Sequence, residues 1–164
     1  MDTADKTRWL DEREQQIWAQ LSTMILRLQP VLSAQLQREF GIGHFEYLIM
    51  ACLSETPGSR LRMSVLATVT GSSLPRLSQA VGRLEKRGWI SRHPDAQDSR
   101  YTLAVLSPAG LRRLQEAAPS HVDAVREFVF DRLTQAQTRQ LGTICQRILD
   151  GLPPDDSWPS TTPS

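Results

Sequence analysis

The apolar pattern of this chain changes period at a single glycine, and that switch restricts the fold more than any other feature. Before Gly88 the apolar residues recur every three or four positions, as on a helix face. After it, Trp89-Ile90-Ser91-Arg92 and Tyr101 to Leu106 read as two short strands, separated by HPDAQDSR, a stretch rich in turn formers and charge. Helical spacing returns at Ser107-Pro108-Ala109-Gly110, where a serine cap followed by proline at the first helical position starts a helix. A β-hairpin therefore sits inside an otherwise helical chain.

Four helices are expected ahead of the hairpin. The first runs from about Asp11 to Arg38, with an apolar stripe through Ile17, Leu21, Met24, Leu28 and Val31, flanked by Trp18, Ile25, Leu32 and Leu36. So broad a stripe has to be buried on another helix or another chain, and Pro30 should kink it. After the break at Gly41-Ile42-Gly43, a second helix covers His44 to Glu55, with Phe45, Leu48, Ile49, Cys52 and Leu53 inward. A loop from Thr56 to Ser59 leads to a short third helix, Ser64 to Val69, with Leu66 and Ala67 inward. Thr70-Gly71 turns the chain into a fourth helix, about Leu74 to Arg87, capped by Ser72 or Ser73. Leu74, Leu77, Val81 and Leu84 form its buried face, and Gly88 ends it. Behind the hairpin, a fifth helix carries Leu111, Leu114, Ala118, Val122, Val125, Val129 and Phe130, with a bend at Pro119. A sixth, capped by Thr134, carries Leu141, Ile144, Cys145, Ile148 and Leu149.

The order short helix, tight turn, helix, hairpin is that of a winged helix-turn-helix. The expected fold is mainly α: a winged helix-turn-helix lobe over 42–106, with an α/β wing, flanked by N- and C-terminal dimerisation helices over 1–38 and 108–150. The proline- and serine-rich stretch 152–164 is expected to be a disordered tail.

The charge is unevenly placed. Residues 56–100 hold eight Lys or Arg against three Asp or Glu, whereas the whole 164-residue chain carries a formal charge of only +1. A basic island between acidic flanks is a candidate footprint for a polyanion. Cys52 and Cys145 form no CxxC and sit in apolar helical stretches, so they are expected to be small buried hydrophobes rather than metal ligands or redox sensors. No apolar run approaches the ~20 residues of a membrane span. The acidic N-terminus does not resemble a signal peptide, so a cytoplasmic protein is expected.

On the fourth helix, the side away from Leu77, Val81 and Leu84 offers Ser72, Ser73, Pro75, Arg76, Gln79 and Arg83. Arginine can fork onto guanine and glutamine onto adenine, and a helix of this kind suits the ~12 Å major groove. Ser72 and Ser73, with the free amides of the first turn, suit a phosphate. Arg92, His93 and Arg100 are expected at the hairpin tip, where a guanidinium can enter the minor groove. Asp98 would repel phosphate unless it orients an arginine, so it is read as the partner of Arg100 or of another wing arginine. Arg60 and Arg62 fit a phosphate contact and plain exposure equally well.

The stretches LSQAVGRLEKRGWISR (Leu77 to Arg92), DAQDSR (Asp95 to Arg100) and LAVLSPAG (Leu103 to Gly110) together resemble the MarR family of bacterial regulators. Its pattern is a recognition helix ending in RLE-x-x-G, a D-x-R wing, and a strand running into L-T/S-x-x-G. The resemblance covers roughly Asp11 to Gly151. It implies a homodimer whose intertwined chain ends form the dimer layer, and two recognition helices in successive major grooves of a near-palindromic operator. It also assigns Arg100 as the wing arginine and Asp98 as its carboxylate partner. Many members are repressors released by a small phenolic or other aromatic effector, bound between the dimer layer and the DNA-binding lobe. Trp18, His44 and Tyr47 are the candidate lining residues here, although the simpler reading places Trp18 in the dimer core and packs Tyr47 in the ordinary way. No metal site is expected, since His44, His93 and His121 stand apart in the sequence, and no cofactor is implied.

Two other function classes compete. An enzyme is disfavoured, because the chain has no GxSxG, no phosphate-cradling glycine loop and no HExxH. A winged helix that binds protein without DNA specificity is the stronger rival. It would usually lack the wing arginine and the polar recognition face.

Overall fold

The structure, a computed structural model, describes residues 7–152. Its elements follow the order α1 (Glu12–Phe40), α2 (His44–Ser54), β1 (Arg60–Arg62), α3 (Met63–Val69), α4 (Leu74–Lys86), β2 (Ile90–Pro94), β3 (Thr102–Leu106), α5 (Pro108–Phe128) and α6 (Gln135–Asp150). The fold is a winged helix-turn-helix with long helices on either side. The expected tail falls, from residue 153 on, outside the described residues, as do the first six residues of the expected N-terminal segment.

Local chemistry accounts for most of the boundaries. Asp11 and Glu14 cap α1 reciprocally, each carboxylate taking the other residue's amide at 2.7 and 3.0 Å. Thr134 and Gln137 do the same for α6. The turn between α3 and α4 and the end of α4 share one design. Gly71 and Gly88 take left-handed conformations, with φ of 57° and 71°. Each is followed by an amide that reaches back five residues, Ser72 to Ala67 and Trp89 to Leu84. The period switch at Gly88 is thus a helix terminator placed directly ahead of a strand.

The winged lobe holds the core. Leu36, Ile42, Ile49, Met50, Leu53, Leu66, Leu77, Val81 and Leu84 are fully buried. Only the last third of α1 contributes, through Leu32, Gln35 and Leu36, while its earlier apolar stripe stands exposed, as at Ile17, Met24 and Ile25. No residue of α6 is buried. The open carbonyls at the end of α1 are claimed by two arginines from other elements. Arg87, after α4, donates to Gly41 O at 2.7 Å, and Arg113 of α5 donates to Phe40 O at 2.5 Å. Cations at a helix C-terminus also meet the negative end of its dipole. Both α1 and α5 continue past Pro30 and Pro119.

Several expectations need correction. The wing is a three-stranded antiparallel sheet in the order β1-β3-β2, not a lone hairpin. Arg60–Arg62 is too short and too charged to show strand periodicity, yet it pairs with Val105, Ala104 and Leu103. Leu74 is not part of the buried face of α4, being half-exposed at its first turn, and Met50, omitted from the expected core, is fully buried. Cys52 is half-buried and Cys145 is exposed in the single chain.

The junction of wing and α5 depends on one glycine. Ser107 donates its backbone amide to Trp89 O at 2.9 Å and its hydroxyl to Gly88 O at 2.7 Å, and caps α5 by accepting from Gly110 N at 3.0 Å. A Cβ at Gly110 would overlap the Trp89 carbonyl oxygen and lie 2.8 Å from Leu106 Cδ1. Gly110→Ala should therefore destabilise the protein by about 2–3 kcal/mol through overpacking. Gly82→Ala, in the interior of α4 with only ordinary contact at 3.9 Å, should stabilise by about 0.5–1 kcal/mol. Urea unfolding of both variants checks the pair, and equal effects would contradict the close approach at Gly110.

Candidate nucleic-acid interface

The outward face of α4 presents Ser73, Pro75, Arg76, Gln79 and Arg83, all exposed. Arg76, Gln79 and Arg83 stand three and then four residues apart, on one side of the helix. Ser72 is half-buried and its hydroxyl donates to Ser73 O. Ser73 occupies the cap position without a side-chain capping bond, so the expected serine cap is not made. The first-turn amides of α4 that proline does not remove are left without a capping side chain.

Arginines dominate the site, and carboxylates hold four of them. Arg83 donates Nε–H to Glu46 Oε1 of α2 at 2.7 Å, Arg92 to Glu85 of α4 at 2.8 Å, Arg62 to Asp95 at 2.7 Å, and Arg100 to Asp98 at 2.9 Å. The three acidic residues of the basic island are thus all paired with arginines. Among the described residues Arg76 has no carboxylate partner, and it lies over the Phe45 ring, 4.7 Å from its centroid. In each pair the guanidinium keeps contact with solvent, which screens the attraction. Their main effect is to select one rotamer of a side chain that otherwise has about 2 kcal/mol of rotamer freedom.

The wing loop is built on two aspartates. Asp95, buried, accepts the amide of Gln97 at 2.9 Å and the Arg62 guanidinium, which also lies 4.3 Å over the Tyr101 ring. Asp98 accepts the Arg100 amide at 3.1 Å, and Arg100 Nη2 at 2.6 Å, while the Arg100 side chain remains 83% exposed. These Asx turns fix the loop from within. The amide of Gln97 and the Arg62 guanidinium hold the Asp95 carboxyl below the usual range, and Arg100 does the same for Asp98. Both aspartates therefore stay ionised at any pH where the protein would meet DNA. Arg92 corrects an expectation. It belongs to β2, away from the tip, where it grips Glu85 and lies 3.3 Å from Ser78 Oγ of α4. His93, on the same strand, hydrogen-bonds Ser91. Glu85 and Asp95 are acidic residues of a basic island, and Glu46 lies outside that island on α2, so only the folded chain shows that they hold arginines. The signal for Asp95 was its place at the head of the DAQDSR wing stretch, three residues before Asp98.

Comparison with known proteins bears on this geometry. The structure superposes on the MarR family transcriptional regulator Sco3205 from Streptomyces coelicolor, solved in complex with DNA, with a TM-score of 0.87, 42% identity and coverage of 93% of this chain and 96% of that one. The chain belongs to the MarR family of transcriptional regulators. The MarR family model itself matches residues 40–100, from the end of α1 through the wing loop. A second MarR family regulator from Streptomyces coelicolor, AbsC, gives a TM-score of 0.81 at 35% identity, over 88% of this chain and 97% of that one. The transcriptional repressor MprA of Escherichia coli (strain K12) is 26% identical over 112 residues, 68% of this chain, and the chain spans 63% of MprA's length.

A second polar cluster of this MarR family chain lies where α1, α2 and α5 meet. His44 Nδ1 lies 2.6 Å from Gln29 Oε1, and the His44 amide donates to Ser33. The His121 ring lies 5.3 Å from that of His44 and 4.3 Å from that of Tyr47. His44 and Tyr47 of α2 therefore both lie against His121 of α5, which stands far from them in the sequence. Trp18 does not join them and stands exposed in the first half of α1. Among the described residues no cluster of three or more metal-ligating side chains occurs, and no helix is long and apolar enough to cross a membrane.

Burial, and then the neighbouring His121, lower the His44 pKa to about 4, and burial lowers that of His121. Both rings are neutral in the fold but bind protons below about 6.5 once unfolded. The His44 contribution to stability is therefore complete above about pH 6.5 and is lost as pH falls towards 4, and that of His121 fades in the same direction. From His44, unfolding free energy should decline by on the order of 2–3 kcal/mol across that window, measured by urea titrations at stepped pH. A flat profile would show that the rings titrate normally.

Proposed function

We propose that this protein is a sequence-specific transcriptional repressor that binds a near-palindromic operator as a homodimer. The observation that carries this reading is the outward face of α4, where Arg76, Gln79 and Arg83 share one side, next to a wing whose Arg100 is presented by Asp98. In this mechanism α4 enters the major groove, where Arg76 and Arg83 fork onto guanine and Gln79 reads adenine. The first-turn amides of α4 and Ser73 bind a phosphate, which sets affinity and register. Half-exposed Leu74, beside Pro75, meets a thymine methyl. Arg100 enters the flanking minor groove. The DNA in the Sco3205 crystal and the repressor activity named for MprA agree with this reading.

The second subunit covers the exposed apolar faces of α1 and α6. These helices, with α5, form the dimer layer, and 42–106 is the DNA-binding lobe. The two α4 helices then read half-sites about 10–10.5 base pairs apart. A small aromatic effector would bind beside His44, Tyr47 and His121, at the joint between layer and lobe. It would release the operator by favouring a different spacing of the two α4 helices.

Binding to an operator selected from a random DNA pool, and to unselected DNA, at two salt concentrations tests the reading. Strong preference for a near-palindrome, over a salt-dependent background, is expected. Equal affinity for all sequences would refute it. Within that assay, Arg83→Ala should cost about 1–3 kcal/mol on the selected operator and less on unselected DNA. Arg100→Ala should weaken binding to both.

A further inference from the structure

Glu46 is a carboxylate with 6% exposure on α2, outside the surface that would meet DNA, and its two oxygens have separate tasks. Oε2 accepts the Gly43 amide at 3.2 Å, the one half of a capping box that a glycine at the cap position still allows. Oε1 accepts Arg83 Nε–H at 2.7 Å. The bond is not needed to solvate Arg83, whose side chain is 56% exposed. Among the described residues neither Nη of Arg83 donates a hydrogen bond, so the fork's two terminal nitrogens have no protein partner while its root is fixed.

We infer that Glu46 is a positioning residue for sequence reading, which locks Arg83 so that its terminal nitrogens meet a base edge rather than the nearest phosphate. This inference rests on the proposed role of Arg83 as a base-reading side chain. A free arginine on a groove-facing helix can swing to either backbone, because phosphates offer acceptors at every step and no sequence preference. Fixing Nε removes most of those alternatives. It also offsets the guanidinium charge, which lowers attraction to DNA of any sequence. The adjacent residue strengthens the assignment, since Phe45 holds Arg76 through its ring. Two consecutive residues of α2 thus set two side chains of α4.

The test compares Glu46→Gln, Arg83→Ala and the double variant on the selected operator, on the same operator with the guanine opposite Arg83 replaced, and on unselected DNA. Both affinities come from one preparation, so a loss of folded fraction cancels in their ratio. Glu46→Gln should lower discrimination between operator and guanine-replaced DNA about tenfold, a normal share of a bidentate contact. It should also hold or raise affinity for unselected DNA and steepen its salt dependence by about 0.9 in log–log slope, one released cation. In the Arg83→Ala background the same change should leave discrimination unaltered. Glu46→Asp, which keeps the charge but shortens the reach to Arg83 Nε, should lose discrimination similarly and serves if Glu46→Gln does not fold. Equal loss on all three DNAs, or an undiminished effect in the Arg83→Ala background, would make Glu46 a helix cap only. If Arg83→Ala itself leaves discrimination intact, the base-reading role of Arg83 fails and the inference with it. If Arg83→Ala abolishes discrimination while Glu46→Gln matches the parent, only the inference fails.

Discussion

The recurring interaction in this structure is an arginine held at Nε by a carboxylate. Arg62 with Asp95 closes the wing loop against β1, Arg92 with Glu85 fastens β2 to α4, Arg83 with Glu46 fastens α4 to α2, and Arg100 with Asp98 fixes the loop tip. Two more arginines, Arg87 and Arg113, cap the end of α1 and join the long helix to the lobe. Together they relate the helix, the wing and the long helices to one another, so the terminal nitrogens of Arg83 and Arg100 project from a fixed frame.

That frame explains how a lobe with a small core can present long side chains in a defined way. Stability comes from the apolar cluster around Leu36, Ile49, Leu66, Leu77 and Leu84 and from the close packing of Gly110 on Trp89. Orientation comes from charge pairs at the edge of that core. The two roles meet in the segment after α1. There His44 faces the polar cluster with His121, Phe45 faces Arg76, and Glu46 faces Arg83. Three consecutive side chains of α2 thus touch both the joint with the long helices and the outward face of α4.

The sequence made the helices, the wing and the family legible, because those rest on period and on glycine positions. Gly88 ended α4 where the apolar spacing changed, and Ser107-Pro108 opened α5. β1 was hidden, since three residues carry no periodicity and its pairing with β3 is a tertiary event. The outward residues of α4 followed from helix geometry, except Leu74, which an apolar residue count places inward but the first turn leaves exposed. Arg92 was placed at the wing tip by proximity in sequence, whereas its pairing with Glu85 depends on how β2 crosses α4. The partner carboxylates and the meeting of His44 with His121, 77 positions apart in the numbering, need the folded chain.

The central claim is that α4 and the wing read adjacent grooves of one duplex, twice per dimer. Chemical footprinting on the selected operator tests it most directly, with methylation interference at guanine N7 reporting the major groove and hydroxyl-radical cleavage reporting the minor groove. The expected pattern is two clusters of guanine interference about 10–10.5 base pairs apart, each flanked on its outer side by minor-groove protection that disappears in Arg100→Ala. A single cluster, or minor-groove protection that persists in Arg100→Ala, would contradict the account.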